Sequence, residues 1–382
     1  MLPVRLAYAA TDRRLVVVVL RGALDGLAAV PAYADPDYRN QRGALALAEP
    51  GEAEGALDLD GRFGLHPALG PLHEMYQARE LLVVHAVATP YRSRSHFDGQ
   101  DLLENGTTTP RGASDGWLNR AVALLGTSDR RLGLAVGQTV PLLLRGAAPV
   151  GSYAPQTMPE LDGDFLARLA AMYRRDAIFA AAIDEGIKAQ AMSDEVLGEE
   201  KRMGRETLRG PAAIRAIAGK VGKLLAAHDG ARIAVIETGG WDTHAQQGTI
   251  NGRLSVSLRS LGEALAALKE GLGASWGQTT IAVITEFGRT VAINGTGGTD
   301  HGTAGIAVLL GGAVNGGRVV GQWPGLAQAQ LYDGRDLAPT SDLRAVMKGV
   351  LADHLELPRD AIDRTVFPAS AAVEPMRDMI RA

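Results

Sequence analysis

Acidic and imidazole side chains recur directly beside runs of apolar residues along this chain. Asp25 follows Leu15–Leu20, Asp242 and His244 follow the run ending at Glu237, Glu286 follows Thr279–Thr285, and Asp300 and His301 precede another apolar stretch. Such runs read as buried strands, and carboxylates and imidazoles gathered at strand ends are how an α/β domain assembles a divalent-metal site. Asp242 and His244 are spaced so that an extended segment points both to one side, with Gly239 and Gly240 freeing the backbone before them. His301 stands between Asp300 and Gly302, where an imidazole has little packing purpose, and Asp300 can bind an ion itself or orient a neighbouring ring. Each pair has a plainer reading, as a hydrogen-bonded loop clamp or as a helix cap.

Reaction chemistry needs a nucleophile and groups that accept developing charge. Ser95, within Arg92-Ser93-Arg94-Ser95-His96, is expected at or near a helix N-terminus, where free N–H groups favour an anion. A cation that lowers its hydroxyl pKa would let it attack phosphorus or sulfur. Arg94 and Arg289 are candidates to neutralise substrate oxygens, and His96 to act as an acid or a ligand; the plain alternative is a serine cap between solvated arginines. The catalytic candidates are therefore Ser95, His96, Arg94 and Arg289, and the metal candidates Asp25, Asp242, His244, Glu286, Asp300 and His301.

Composition narrows the chemistry. The 382 residues contain no cysteine, which removes disulfides, thiolate ligands and cysteine nucleophiles together. Any ion must be held by histidine and carboxylate, a donor set that favours zinc while leaving manganese, calcium and magnesium open. The formal net charge of -4 gives no global positive field for nucleic acid. No uninterrupted apolar run is long enough to span a membrane. There is no Walker lysine–serine pair, no GxGxxG after the first strand and no GxSxG elbow.

Strands are expected at 15–20, 81–88, 232–237, 279–285 and 305–310, with one or two more within 133–144 and another at 319–323. Helices are expected at 67–79, from about 95 to 105, at 116–125, 162–188, 211–227, 253–269 and 341–354. This alternation predicts a three-layer α/β/α sandwich around a mainly parallel sheet, with 81–88 reached from the first strand by a parallel crossover. Residues 13–382 read as one domain with a helical insertion around 160–228. Residues 1–12 stand apart: Ala7-Tyr8-Ala9 has the small-x-small pattern of a cleavage site, so the stretch reads as an export-signal remnant or as a disordered terminus.

Five stretches together resemble the DUF1501 family, which is itself similar to the alkaline phosphatase and sulfatase superfamily. They are Leu20–Gly26, Arg94–Phe97, Gly239–His244, Thr285–Thr290 and Gly298–Gly302. The resemblance implies an alkaline-phosphatase-like fold and a two-metal site. Asp242, His244 and His301 would serve one ion, Asp25 and Glu286 the other, and Ser95 would be the nucleophile. It also implies hydrolysis of phosphate or sulfate esters by that serine or by a metal-bound water, small anionic esters or sulfated or phosphorylated glycans as partners, and export by the twin-arginine route. The alternative is a non-catalytic exported protein that binds anions or glycans. The sequence departs from the superfamily pattern in placing Glu286-Phe287 where an Asp-His pair is usual, and in the short spacing from Asp242 to His244. A single-metal site is therefore open as well.

Overall fold

The computed structural model describes residues 12–126, 132–154, 172 and 211–381. The Ala7–Ala9 stretch, the expected 162–188 helix and most of the 160–228 insertion lie outside these residues. The strands of the main sheet are β1 (Arg14–Leu20), β2 (Leu81–Ala88), β3 (Gly133–Val136), β4 (Gly151–Tyr153), β5 (Ile233–Thr238), β6 (Thr279–Thr285), β7 (Gly305–Leu310), β8 (Arg318–Val320) and β9 (Ser341–Asp342). Their spatial order is β8-β2-β7-β6-β1-β5-β3-β4, with β9 also beside β2.

β1 lies at the centre because every one of its residues is buried. It pairs in parallel with β5 and β6, so that Val17 sits opposite both Val235 and Ala282. Side-chain alternation sends Val16, Val18 and Leu20 to one face and Leu15, Val17 and Val19 to the other. The first face is covered by α2 (Gly70–Gln77), α5 (Pro211–Ala226) and α6 (Arg253–Leu272), through residues such as Leu72, Val221 and Leu258. The second is covered by α4 (Trp117–Leu124) and α7 (Leu343–Asp353), through Trp117, Leu118, Val346 and Val350. Each fully buried aliphatic side chain contributes about 1.5–3 kcal/mol, so the two covered faces account for the depth of the core. The architecture is the three-layer α/β/α sandwich with a mainly parallel sheet.

Three local features refine this picture. β2 is not the neighbour of β1: β6 and β7 stand between them, and β7 runs antiparallel to both β2 and β6. A strand buried on both faces has the same apolar composition in either direction, so its pattern does not encode which way it runs. Within 133–144 only Gly133–Val136 is a strand; Leu142–Leu144 is a 3-10 turn, and the next strand is Gly151–Tyr153. The last long helix begins at Leu343, because the Asp342 side chain accepts the Arg344 N–H and caps it. Among the described residues no helix is long and apolar enough to cross a membrane.

The reversed β7 has a functional consequence. The C-terminal ends of β1, β2, β5 and β6 and the N-terminal end of β7 meet at one edge of the sheet. The loops carrying Asp25, Ser95, His96, Asp242, His244, Glu286 and His301 therefore share that edge.

Candidate metal centre

Three ligand atoms, one each from His96, Asp242 and His301, lie within 4.8 Å of one another. His96 is the first residue of α3 (His96–Asn105), which starts where the chain turns back from β2. Its Nε2 is 3.4 Å from Asp242 Oδ2, and the His301 Nε2 is 3.3 Å from Asp242 Oδ1. His244 completes the group, with its Nε2 3.0 Å from Asp242 Oδ1 and 2.9 Å from His301 Nε2.

The opposite ring nitrogens decide the chemistry. His96 Nδ1 lies 2.8 Å from the buried Glu286 Oε1, His244 Nδ1 is 3.2 Å from Asp300 Oδ1, and His301 Nδ1 is 2.8 Å from the Arg94 carbonyl oxygen. All three partners are acceptors, so each Nδ1 must carry the proton. In the neutral rings the three Nε2 atoms are then bare lone pairs, facing one another and the Asp242 carboxylate. His96 Nε2 is in fact buried without a hydrogen-bond partner. Lone pairs and a carboxylate crowded together repel unless a cation lies between them, and imidazoles backed by carboxylate or carbonyl acceptors are the usual support of a metal site. The residues thus fit a divalent ion with nitrogen-rich coordination.

Surrounding charges hold the group in place. Burial alone would push the Asp242 carboxyl up, but the Arg289 guanidinium, 2.5 Å away, brings it below its ordinary value. Glu286 is opposed by burial in the same way. It is kept ionised by His96, by Gln100 Nε2 at 3.1 Å and by the Gly22 N–H at 2.8 Å. The Glu286 hydrogen bond raises the His96 pKa, while burial lowers that of His301. Gly22 has φ +119°, and a Cβ there would lie 2.7 Å from the Asp242 backbone nitrogen, so only glycine lets the first loop reach both Glu286 and Asp242.

The sequence profile of the DUF1501 family, described as a protein of unknown function, matches residues 65–366. This chain is a DUF1501 protein. No curated protein matches it in sequence. Among solved structures, it is similar to the zinc complex of the C-terminal periplasmic domain of EcEptC from Escherichia coli, at 10% identity over 95% of this chain and 88% of that one, with a TM-score of 0.43. It is also similar to Ps i-CgsB in complex with k-i-k-neocarrahexaose, at 11% identity over 96% and 77% of the two chains, with a TM-score of 0.43. A protein in the alkaline phosphatase superfamily from Vibrio parahaemolyticus matches at 11% identity over 80% and 62%, with a TM-score of 0.32.

The remaining residues singled out in this DUF1501 sequence fall into different places. Asp25 does not face the cluster with a free oxygen. Its Oδ1 accepts the Ala28 N–H and caps the short helix α1 (Gly26–Ala29), and its Oδ2 accepts from Arg42 at 2.6 Å and from Gln247 at 2.7 Å. Both members of the Arg42–Asp25 pair are buried, so the guanidinium already supplies the positive charge expected there from an ion. Glu286 Oε1 faces His96 Nδ1 and its Oε2 accepts the Thr285 hydroxyl, while Asp300 faces His244 Nδ1 through Oδ1, so both back a ring of the cluster.

Two arginines are also engaged elsewhere. Arg289 binds Asp242 and the Thr299 hydroxyl and carbonyl, and the Arg94 guanidinium is held by Asp333 and Asp336 at 2.8 Å. Both guanidiniums are thus paired with carboxylates. Ser95 occupies the N-cap position of α3, yet its hydroxyl makes no capping bond, which leaves it available beside His96.

Sequence reasoning missed the residues that connect these loops. Gln247, fully buried, donates to Asp25 and accepts from the hydroxyls of Thr243 and Thr299, and Thr299 in turn accepts from Arg289. A continuous polar chain thus runs from Arg42 to Asp242. Phe287, where a histidine was expected from the superfamily pattern, is buried and stacks on His96 with ring centroids 5.0 Å apart. It walls the site instead of donating to it. No local motif marks Arg42 or Gln247, because each acts on a residue far away in sequence.

Proposed function

We propose that this protein is a metal-dependent hydrolase of phosphate or sulfate esters, with zinc as the first candidate ion and manganese the second. The observation that supports this most is the convergence of bare Nε2 atoms from His96, His244 and His301 on Asp242, each ring locked by an acceptor at Nδ1. His96, Asp242 and His301 would hold the ion with His244 beside them, a nitrogen-rich set that disfavours calcium and magnesium. The ion, when bound, supplies Lewis acidity and neutralises charge on ester oxygens. Because Asp25 is paired with Arg42 and Glu286 with His96, the reading is of one ion and not two.

The chain's own residues supply the rest. Ser95 Oγ, uncapped at the start of α3, would bond to phosphorus or sulfur as the ester oxygen leaves, its proton passing through solvent to that oxygen to give the alcohol; water then cleaves the seryl ester, releasing phosphate or sulfate and the free serine. The free N–H groups of the first turn of α3 would favour the anion. Phe97, 89% exposed in that turn, offers an aromatic face to an aryl or sugar leaving group.

A second reading is a non-catalytic binder of anions or glycans that retains the ion: with Arg94 and Arg289 paired to carboxylates, neither would neutralise the charge that grows in a transition state, and the ion would be left to take the ligand. Metal analysis of the purified protein, followed by assay of p-nitrophenyl phosphate, bis-p-nitrophenyl phosphate and p-nitrophenyl sulfate, separates the two. Turnover that disappears in Ser95→Ala supports the hydrolase. Bound ion with no turnover of any ester supports the binder, and absence of a bound ion after incubation with zinc or manganese overturns both.

A further inference from the structure

Arg94 adopts a left-handed backbone conformation, φ +60°, although it is not glycine. That region is disfavoured for an L-residue and persists only where the surroundings impose it. In this conformation the Arg94 carbonyl meets His301 Nδ1 at 2.8 Å, the contact that places the proton on Nδ1 and leaves Nε2 facing Asp242. The guanidinium of the same residue points the other way. Its Nε donates to Asp336 Oδ2 at 2.8 Å, and its Nη2 reaches both Asp336 and the exposed Asp333.

Asp336 is fully buried, and its Oδ2 also accepts from the Thr303 hydroxyl at 2.8 Å. Its backbone is fixed by reciprocal hydrogen bonds with Tyr332, and Tyr332 lies beneath the Arg94 guanidinium, 6.0 Å from it. The adjacent Arg335 donates to the His301 carbonyl oxygen. One turn, residues 331–337, therefore grips both the segment that carries the His301 acceptor and the segment that carries His301. Nothing in this turn touches the cluster of Nε2 atoms directly.

We infer that Asp336 is a positioning residue for the metal centre: by anchoring Arg94 in its left-handed conformation it fixes the tautomer of His301 and so the affinity for the ion. The inference rests on the metal reading above, but one of its measurements does not need the ion. Burying a carboxylate is costly unless paired; Arg335 Nε lies 3.0 Å from Asp336 Oδ1 and Arg94 takes Oδ2 in a forked contact, so the strain at Arg94 is compensated by its ion pair and released when that pair is broken.

The test uses the full-length protein in three forms: wild type, Asp336→Asn and Asp333→Asn. In ion-free protein labelled with 15N-histidine, wild-type His301 shows the Nδ1–H signature. Asp336→Asn shows a mixture or the Nε2–H form, and Asp333→Asn matches wild type. Titrated with zinc, Asp336→Asn binds about 10–100-fold more weakly, the range seen when outer supports of metal ligands are removed, while Asp333→Asn binds as wild type does. If Asp336→Asn does not fold, Arg94→Lys takes its place, since an ammonium cannot reproduce the forked contact with Asp336. An unchanged His301 tautomer, or unchanged zinc affinity in a folded variant, overturns the inference. Failure of wild type to bind either zinc or manganese overturns the metal reading instead, and leaves the tautomer result to decide the role of Asp336.

Discussion

Replacing Arg42 separates two roles for Asp25, metal ligand or partner of a buried cation. The pair is 2.6 Å apart with side chains 0% and 2% exposed, so solvent cannot take over when the guanidinium is removed. In Arg42→Ala the Asp25 carboxylate keeps only the Gln247 amide and the Ala28 N–H. Removing one member of a buried ion pair costs about 3–5 kcal/mol, a large part of the roughly 5–15 kcal/mol that holds a domain folded. Asp25→Asn retains an acceptor for the α1 cap but loses the charge, and Asp25→Asn combined with Arg42→Ala removes both charges together. The double variant should therefore be more stable than the sum of the single losses by about 2 kcal/mol or more. Urea unfolding without added metal measures these differences, and metal analysis of Asp25→Asn should still find the wild-type amount of ion. The reasoning is refuted if Arg42→Ala loses less than about 1 kcal/mol, below the cost of an uncompensated buried carboxylate, or if Asp25→Asn loses its ion.

Metal analysis of the wild type should find one zinc or manganese per chain, and His96→Ala and His301→Ala should each lose it; two ions per chain would contradict the pairing of Asp25 with Arg42. Phe97→Ala should raise KM for p-nitrophenyl esters several-fold with little change in kcat, and equal KM values would remove the aromatic face from substrate recognition. Two buried histidines set the acid side of stability. Burial lowers His85 and His354 to about 4 from an ordinary 6.5, so the unfolded chain binds more protons between those values. Stability is then complete above pH 6.5 and falls as pH drops towards 4, by an amount on the order of 3 kcal/mol for each ring. Urea midpoints at pH 7.0, 5.5 and 4.5 should decrease in that order, and a flat profile would show that the rings are not buried neutral. Gly22→Ala, forced into φ +119° against Asp242, should destabilise the fold by more than about 1 kcal/mol and weaken zinc binding, both read by titration and unfolding.

The strands that carry the site were legible because they are short apolar runs ending in chemistry: β2, β6 and β7 fall where the pattern puts them. Asp242, His244 and His301 were found by the same logic. What the sequence did not disclose is pairing. Nothing near Arg42 says that it meets Asp25, and nothing near Asp336 says that it holds Arg94, since those contacts depend on how loops fold back over the sheet edge. Acidic residues at strand ends therefore look alike in sequence, while the structure sorts them: Asp242 faces the Nε2 atoms, Glu286 and Asp300 face the Nδ1 atoms, and Asp25 faces an arginine. His96 reads in the sequence as an acid or a ligand; that it stands beside Asp242 and His301 follows from where α3 starts.

The counter-charge at Asp25 comes from within the chain. A polypeptide that brings its own guanidinium to its first loop can complete that corner while still empty, in any surroundings, whether or not transition metals are to be had. On the proposed reading, metal supply would then govern when the protein becomes competent to act, and leave the timing of its folding alone.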